Sequence, residues 1–355
     1  METPRREFLE SLLETPSPSG FESGGQRVWT EYVESFADQV RTDAYGNAVA
    51  VHEGDPETDV SIAFAGHADE IGFVVRDITD DGFLRLAPVG GSDKTVSKGQ
   101  HVTIHADEPV QGVIGQTAIH LREKNEKEGY EDIREQFVDI GVEDDEAARE
   151  HVEVGDSVTF STTTEELAGT RVAARGMDNR VGTWTAAEGL RRAVEADVDA
   201  TVYAVSTVQE ELGLQGAKMV GYDLDPDAVV AVDVTHATDN PDVPDKAEGP
   251  VELSEGPVVG RGSANHPAVV ALARDAAESA EIDYQLQAAG SRTGTDADAF
   301  FTERGGIPSL NVGLPNRYMH TPVEVIDTED LVAAADLLGS VARHAAASAP
   351  FETEI

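Results

Sequence analysis

The chain of 355 residues carries 68 Asp and Glu against 26 Lys and Arg, so its formal net charge is −42. This charge argues against nucleic acid or an anionic membrane as a partner. Because the sequence has no cysteine, it excludes disulfides and thiolate metal ligands, and any bound metal must use imidazoles and carboxylates.

The acidic residues are spread along the chain rather than gathered in a tail. Such charge repels itself at low ionic strength and is screened in concentrated salt. We therefore expect a protein adapted to a salty cytoplasm, the alternative being an acidic surface selected for solubility alone. A cytoplasmic location is expected because no run reaches about 18 apolar residues and the N-terminus lacks the apolar core of a signal peptide.

The first elements in chain order are two predicted helices. Their apolar stripes are Phe8, Leu9, Leu12 and Leu13, followed by Val28, Tyr32, Val33 and Phe36. A turn of proline, serine and glycine at 15–20 separates them. Strands are then predicted at 47–52 and, fully buried, at 61–66.

After Ile71 the sequence pattern changes to short runs in which apolar and polar residues alternate, separated by turn residues. These runs predict strands at 73–76, 83–86, 101–105, 110–114 and 152–160. We expect residues 72–165 to form a small all-β domain inserted into a catalytic domain made of 1–71 and 166–355. The charged stretch 121–131 within it is predicted to be a mobile loop.

Strands and helices alternate again from about Arg171. Strands are predicted at 201–207, 229–233 and 308–312, and helices at 181–196, 267–279 and 328–347. This alternation predicts an α/β fold with a mixed, mostly parallel sheet flanked by helices.

Residues suited to chemistry follow the predicted strands, where open α/β sheets bind their ligands. His67, the pair Glu210 and Glu211, and Asp233 stand at three strand ends, Asp178 opens a helix, and His320 lies in a loop. Each feature alone is commonly structural, since strand ends and helix starts are often acidic in so acidic a chain. Together they offer three carboxylates and two imidazoles to two divalent cations, with one glutamate left over as a base and Asp69 placed to orient His67.

These residues lie in five ordered boxes: GHADEIG at 66–72, DNRVG at 178–182, QEELG at 209–213, VDVT at 232–235 and MHT at 319–321. With them, essentially the whole chain resembles the TET-type aminopeptidases, the large-assembly branch of the dinuclear zinc peptidases. The acidic composition suggests a halophilic archaeal member. The resemblance departs at Asn179, where many relatives have a second Asp.

The resemblance implies two divalent ions per subunit, zinc or cobalt. Asp178 would bridge them, His67 and Asp233 would complete one site, and Glu211 and His320 the other. Glu210 would be the general base and Asp69 the partner of His67. It further implies a cis peptide after Asp178, a homo-dodecamer built from dimers, and a dimerisation or substrate-access role for the inserted domain.

Several other polar residues are candidates for contact with substrate or metal. His236 and Asp296 are possible substrate contacts, as are Asp239 and His266. The glycine-rich loop 290–296 either approaches the active site or caps a helix. His101 and His105 alternate on one strand and are expected to be ordinary residues of the inserted domain rather than a metal pair.

The function predicted from these residues is metal-dependent removal of N-terminal residues from peptides. Three alternatives stay open at this point: a dinuclear carboxypeptidase or deacylase with the same ligands, a glycosidase with paired carboxylates, and a peptide-binding scaffold without activity. The presence of all five ligands and the base argues against the last.

Overall fold

The computed structural model describes residues 1–122, 130–241, 243 and 249–353. Most of the segment expected to form a mobile charged loop, at 121–131, lies outside these residues. Of the helices described, none combines the length and apolarity needed to cross a membrane.

The elements are numbered in chain order. The helices are α1 (Thr3–Glu14), α2 (Ser23–Val33), α3 (Asp145–Arg149), α4 (Met177–Glu195), α5 (Gln215–Leu224), α6 (Pro267–Ser279), α7 (Ala297–Phe300) and α8 (Thr328–Ser348). The strands are β1 (Gln39–Thr42), β2 (Ala48–His52), β3 (Ser61–His67), β4 (Gly72–Ile78), β5 (Leu84–Val89), β6 (His101–His105), β7 (Val110–Ile114), β8 (Phe137–Asp139), β9 (Ser157–Phe160), β10 (Glu165–Glu166), β11 (Arg171–Ala174), β12 (Thr201–Thr207), β13 (Ala228–His236), β14 (Val258–Arg261), β15 (Gln285–Ala288), β16 (Ser309–Asn316) and β17 (Glu324–Asp327).

An eight-stranded sheet in the order β1-β2-β12-β3-β13-β16-β14-β15 forms the centre of the molecule. Its four middle strands, β12, β3, β13 and β16, are parallel, and β2 and β14 pair antiparallel with β12 and β16 on either side of them. The mixed, mostly parallel sheet predicted from the sequence is therefore confirmed. Because the middle strands are parallel, their carboxyl ends meet at one edge, where His67 lies opposite Thr207.

Helices cover both faces of this sheet because its strands alternate apolar side chains between the two faces. Ile62 and Phe64 of β3 pack into the core formed with α1, α2, α4, α6 and α8. Ala63 and Ala65 point the other way, into the core formed with α5 and α7. Strands buried on both sides in this way explain the continuous apolar runs in the sequence.

A closed antiparallel barrel follows β3, in the strand order β4-β5-β8-β7-β6-β9. It has an apolar core of its own, which includes Phe73, Leu86, Ile104 and Phe160. The barrel strands end at Phe160, and β10 pairs with β11 and, through it, β17 in a separate small sheet.

The structure corrects the strand predicted at 152–160, which begins only at Ser157. Gly155 has a φ of 106° and Asp156 accepts a hydrogen bond from the amide of Glu153, so the chain turns there. The alternation of Val152 and Val154 resembles a strand, but Val154 is exposed on that turn.

Candidate metal centre

A single carboxylate lies between two imidazoles at the carboxyl edge of the sheet. Asp178, in the first turn of α4, has Oδ1 3.1 Å from Nε2 of His67 and Oδ2 3.3 Å from Nε2 of His320. His67 ends β3, and His320 stands in the loop after β16. The two oxygens of Asp178 thus face two different imidazoles.

Two further carboxylates complete the cluster. Asp233 Oδ1 lies 3.7 Å from His67 Nε2, and Glu211 Oε1 lies 3.4 Å from His320 Nε2. The result is two groups of three, His67–Asp178–Asp233 and Asp178–Glu211–His320, whose ligand atoms lie within 4.8 Å of one another. The structure therefore brings together all five residues expected to hold metal, with Asp178 common to both groups.

The chain is irregular where α4 begins. Gly176 has a φ of 64°, and the Asp178–Asn179 peptide bond is cis, as expected from the family resemblance. Asn179 donates a hydrogen bond from Nδ2 to the carbonyl of Val232 and accepts one at Oδ1 from the amide of Gly182. Asn179 therefore ties the start of the helix to β13, next to Asp233.

Each imidazole is oriented through its Nδ1 atom. His67 Nδ1 lies 3.1 Å from the carbonyl oxygen of Asp69 and 3.3 Å from its carboxylate. His320 Nδ1 lies 3.0 Å from the carbonyl oxygen of Gly91. A proton on each Nδ1 leaves Nε2 free as a ligand, an arrangement typical of metal-binding histidines.

Asp69 also shapes the loop that carries the two glutamates. Its carboxylate accepts hydrogen bonds from the backbone amides of Glu210 at 3.0 Å and Glu211 at 3.1 Å. The hydroxyl of Ser19, 2.6 Å away, donates a third. Asp69 thus contacts both a predicted ligand and the predicted base.

Glu324 is a central residue that the sequence reasoning missed. It is buried in β17 and accepts hydrogen bonds from the amides of Asp178 and His320, both at 2.9 Å. Burial, together with the charge of Asp178, raises its pKa to about 8. No local pattern marks this residue, because Asp178 lies far away in the sequence and His320, four residues before Glu324, forms its contact through a backbone amide.

The charges of the cluster favour bound cations. Burial, followed by the charges of Asp233 and Asp296, raises the pKa of Glu210 to about 10, although His67 opposes the shift. Burial and then Asp178 raise the pKa of Asp233 to about 6. So many buried carboxylates repel one another, and divalent cations relieve that repulsion. Imidazole nitrogens with carboxylate oxygens are a donor set suited to zinc or cobalt.

The cluster opens into a cavity of about 320 Å³. His236 and residues 293–295 line it, so part of the glycine-rich loop does approach the site. The same loop also supports α7, because Thr295 Oγ1 accepts a hydrogen bond from the amide of Ala297. Asp296 does not line the cavity. It is buried and accepts a hydrogen bond from the hydroxyl of Thr207, and burial raises its pKa to about 7.

The remaining candidates lie away from the cavity. Asp239 forms an ion pair with Arg317 at 2.6 Å, and His266 precedes α6 as its N-terminal flanking residue. On the barrel, His101 is exposed and His105 contacts the hydroxyl of Thr159 at 2.8 Å. Neither histidine belongs to a group suited to a metal among the described residues.

The comparisons with known proteins agree with this geometry. The family model for M42 glutamyl aminopeptidases matches residues 46–337. The lysyl aminopeptidase of Pyrococcus furiosus is 32% identical over 329 residues, or 92% of this chain and 93% of that protein. Among solved structures, the TET aminopeptidase of the marine sediment archaeon Thaumarchaeota archaeon SCGC AB-539-E09 has a TM-score of 0.90 at 29% identity and covers 96% of each chain. The TET1 peptidase of Pyrococcus horikoshii has a TM-score of 0.84 at 30% identity, covering 95% of this chain and 99% of that one. Because these matches extend over nearly the whole length, the chain belongs to the M42 glutamyl aminopeptidase family.

Proposed function

We propose that this aminopeptidase removes single N-terminal residues from peptides with two divalent cations, zinc or cobalt. His67 and Asp233 would hold one ion, Glu211 and His320 the other, and Asp178 would contact both. The observation that carries the proposal is the placement of the two Asp178 oxygens, each facing a different imidazole at 3.1 and 3.3 Å.

Glu210 is proposed as the general base. Two divalent cations supply Lewis acidity, which lowers the pKa of water toward about 7 and polarises a carbonyl group. Glu210 lines the same cavity but belongs to neither ligand group, so its carboxylate is free to exchange protons. It accepts the proton of the attacking water and returns it to the leaving amine. Asp69 holds the Glu210 backbone in place through the 3.0 Å amide contact.

A substrate with a free α-amino group suits a cavity lined by four carboxylates, namely Asp178, Glu210, Glu211 and Asp233. Acetylation removes the positive charge of that amine and with it the ion pair to a single carboxylate, which forms whatever the net charge of the cluster is. The protein should therefore hydrolyse aminoacyl 4-nitroanilides and spare their N-acetylated forms, and chelation should abolish the activity until metal is restored. If the acetylated substrates were hydrolysed equally well, the protein would be a deacylase instead. If activity survived chelation, the reaction would not depend on a metal.

The assembly proposed is a homo-dodecamer built from dimers, with the barrel contributing to dimerisation or to substrate access. Two facts support it. The TET1 peptidase of Pyrococcus horikoshii is described as assembling into a tetrahedron or a large octahedral shell. In this chain Ile119, Leu121 and Tyr130 of the barrel region are exposed apolar side chains. Sedimentation velocity in concentrated salt tests the proposal, and a monomer there would contradict it.

A further inference from the structure

Two side-chain amides, Gln287 on β15 and Asn311 on β16, line the cavity beside the metal cluster. The hydroxyl of Thr235 donates to Gln287 Oε1 at 3.0 Å, and that of Thr295 donates to Asn311 Oδ1 at 3.2 Å. Each carbonyl oxygen is thus occupied. Within the described part of the chain, neither amide nitrogen has a hydrogen-bond partner, so both are left to face a ligand. We call these four residues the amide wall.

The backbone around the amide wall fixes this orientation. A side chain at Gly313 would place its Cβ 2.8 Å from Thr235 Cγ2, so the glycine lets Thr235 lean across β16 toward Gln287. On the other side, the hydroxyl of Thr293 donates to the carboxylate of Asp298 at 2.9 Å, so the single proton of Thr295 is shared between Thr293 Oγ1 and Asn311 Oδ1. The amide of Gln287 is therefore a preformed donor toward the cavity, and the amide of Asn311 is held through the shared proton of Thr295.

The amide wall carries no charge. Outside the cluster, the cavity is lined by Val234, His236, Thr293, Gly294 and Met319 besides the wall itself, and His236 is exposed. None of the described lining residues is a lysine or arginine. The four carboxylates of the cluster balance the +4 of two divalent ions, so no net positive charge remains for a substrate carboxylate.

We propose that the amide wall receives the side chain of the first substrate residue and selects glutamine or asparagine. The inference rests on the proposed function. A carboxamide oxygen accepts hydrogen bonds from the free N–H groups of Gln287 and Asn311. An aliphatic side chain would leave these donors desolvated and unpaired, which is the basis of strong discrimination in polar sites. The carboxylate of an acidic side chain would lie near the carboxylates of the cluster with no lysine or arginine to pair with it. The ammonium group of a lysine side chain would face the N–H donors of the wall, which offer it no acceptor.

The first test is a panel of 4-nitroanilides and matched peptides that differ only in the N-terminal residue, assayed with the metal-loaded protein. We expect kcat/KM for glutamine and asparagine to exceed that for glutamate, leucine and lysine by at least about tenfold. A preference for glutamate, leucine or lysine would overturn the inference while leaving the aminopeptidase function intact. Release of no N-terminal residue from any substrate would instead contradict the proposed function.

The second test converts donors into acceptors at constant shape, with Gln287→Glu and Asn311→Asp. Each variant should lose about tenfold or more in kcat/KM for the glutamine substrate, and the ratio of kcat/KM for lysine to that for glutamine should rise. Gln111→Glu adds the same charge on an exposed barrel strand and should leave all ratios unchanged. If the variants change kcat/KM by the same factor for every substrate, the amide wall does not receive the first side chain. The same conclusion follows if the change in kcat/KM depends on the identity of the second residue of the peptide rather than the first.

Discussion

Glu210 and Glu211 are adjacent, but their surroundings differ. Glu211 lies 3.4 Å from His320 and belongs to a ligand group, whereas Glu210 Oε2 is 3.9 Å from His67 Nε2 and belongs to none among the described residues. We predict that Glu210→Gln retains metal but loses about 10²–10⁴-fold in turnover, since the amide cannot accept a proton. Metal content by mass spectrometry, together with kcat on one substrate, checks this.

The matched variant is Glu211→Gln, which makes the same chemical change one residue away. Because it removes a ligand carboxylate facing His320, we predict a lower metal content and a turnover that excess metal partly restores. If Glu210→Gln kept near-normal turnover, or if it lost metal as readily as Glu211→Gln, the two roles assigned here would have to be exchanged or abandoned.

Residues that stand at strand ends in ordered motifs could be predicted from the sequence. His67, Glu211 and Asp233 are of this kind, and they meet because parallel strands end at one edge of the sheet. Asp178 at a helix start and His320 in a loop were marked by their motifs alone. Glu324 and Gln287 could not be predicted, because nothing in their neighbourhood distinguishes them from ordinary strand residues. Their importance comes from what lies beside them in space, namely the amides of Asp178 and His320 for Glu324 and the hydroxyl of Thr235 for Gln287.

Three elements meet at a buried ion pair behind the metal centre. Glu70, just after β3, contacts Arg175 and Arg180 near the start of α4 and accepts a hydrogen bond from the amide of Ser17 in the loop after α1. Burial raises the pKa of Glu70, but the two guanidinium groups outweigh it and lower that pKa to about 2. The loop, the strand end and the helix start are thereby held together.

We predict that Glu70→Gln lowers the free energy of unfolding by about 3–5 kcal/mol at pH 7, because two buried cations lose their partner. The folded-state pKa lies below the unfolded value of 4.5, so the contribution of Glu70 is present above pH 4.5 and is lost as the pH falls from about 4.5 toward 2. The difference between variant and wild type in urea unfolding should narrow over that range.

The control is Glu10→Gln, which breaks the partly exposed pair between Arg6 and Glu10 in α1. A surface pair of this kind contributes about 0.5 kcal/mol. If Glu70→Gln lowered the free energy of unfolding no more than Glu10→Gln does, the ion pair would not hold these elements together. A loss of unfolding free energy that stays the same below pH 4.5 would show the same.

Elements with a clear periodic pattern of apolar residues could be predicted with their ends, and elements without one could not. The pattern at 267–279 matches α6, and those at 101–105 and 201–207 match β6 and β12. By contrast β14 and β15 went unpredicted, since each has four residues and the side chains of β15 are half-buried or exposed. Such strands are stabilised by their neighbours in the sheet, which no local window contains.

The glycines of two motifs mark a close contact between elements. A side chain at Gly66 would place its Cβ 2.5 Å from the backbone of Gly182, so β3 and α4 approach backbone to backbone. This contact brings His67 and Asp178 into one site. The sequence shows the two glycines, but only the folded structure shows that they meet.

At the scale of the whole molecule, the division into a sheet domain and a barrel follows from a change in the pattern of apolar residues along the sequence. Continuous apolar runs, buried on both faces, become short alternating ones after Ile71. The order of the eight strands could not be derived in this way, because β12 lies between β2 and β3 although it follows them by well over a hundred residues. That order decides which strand ends become neighbours.

The net charge of −42 leads to the last prediction. Repulsion between like charges reaches about 10 Å at 0.1 M salt and about 3 Å at 1 M. We therefore predict that the melting temperature rises between 0.1 and 2 M KCl, and that the proposed dodecamer dissociates before the subunits unfold as salt is removed. Melting scans and sedimentation velocity over one salt series measure both effects. Sucrose at equal osmolality is the control, since it is excluded from protein surfaces but screens no charge. If sucrose stabilised the protein as well as KCl does, screening would not be the cause. Equal melting temperature and size across the salt series would contradict the halophilic interpretation.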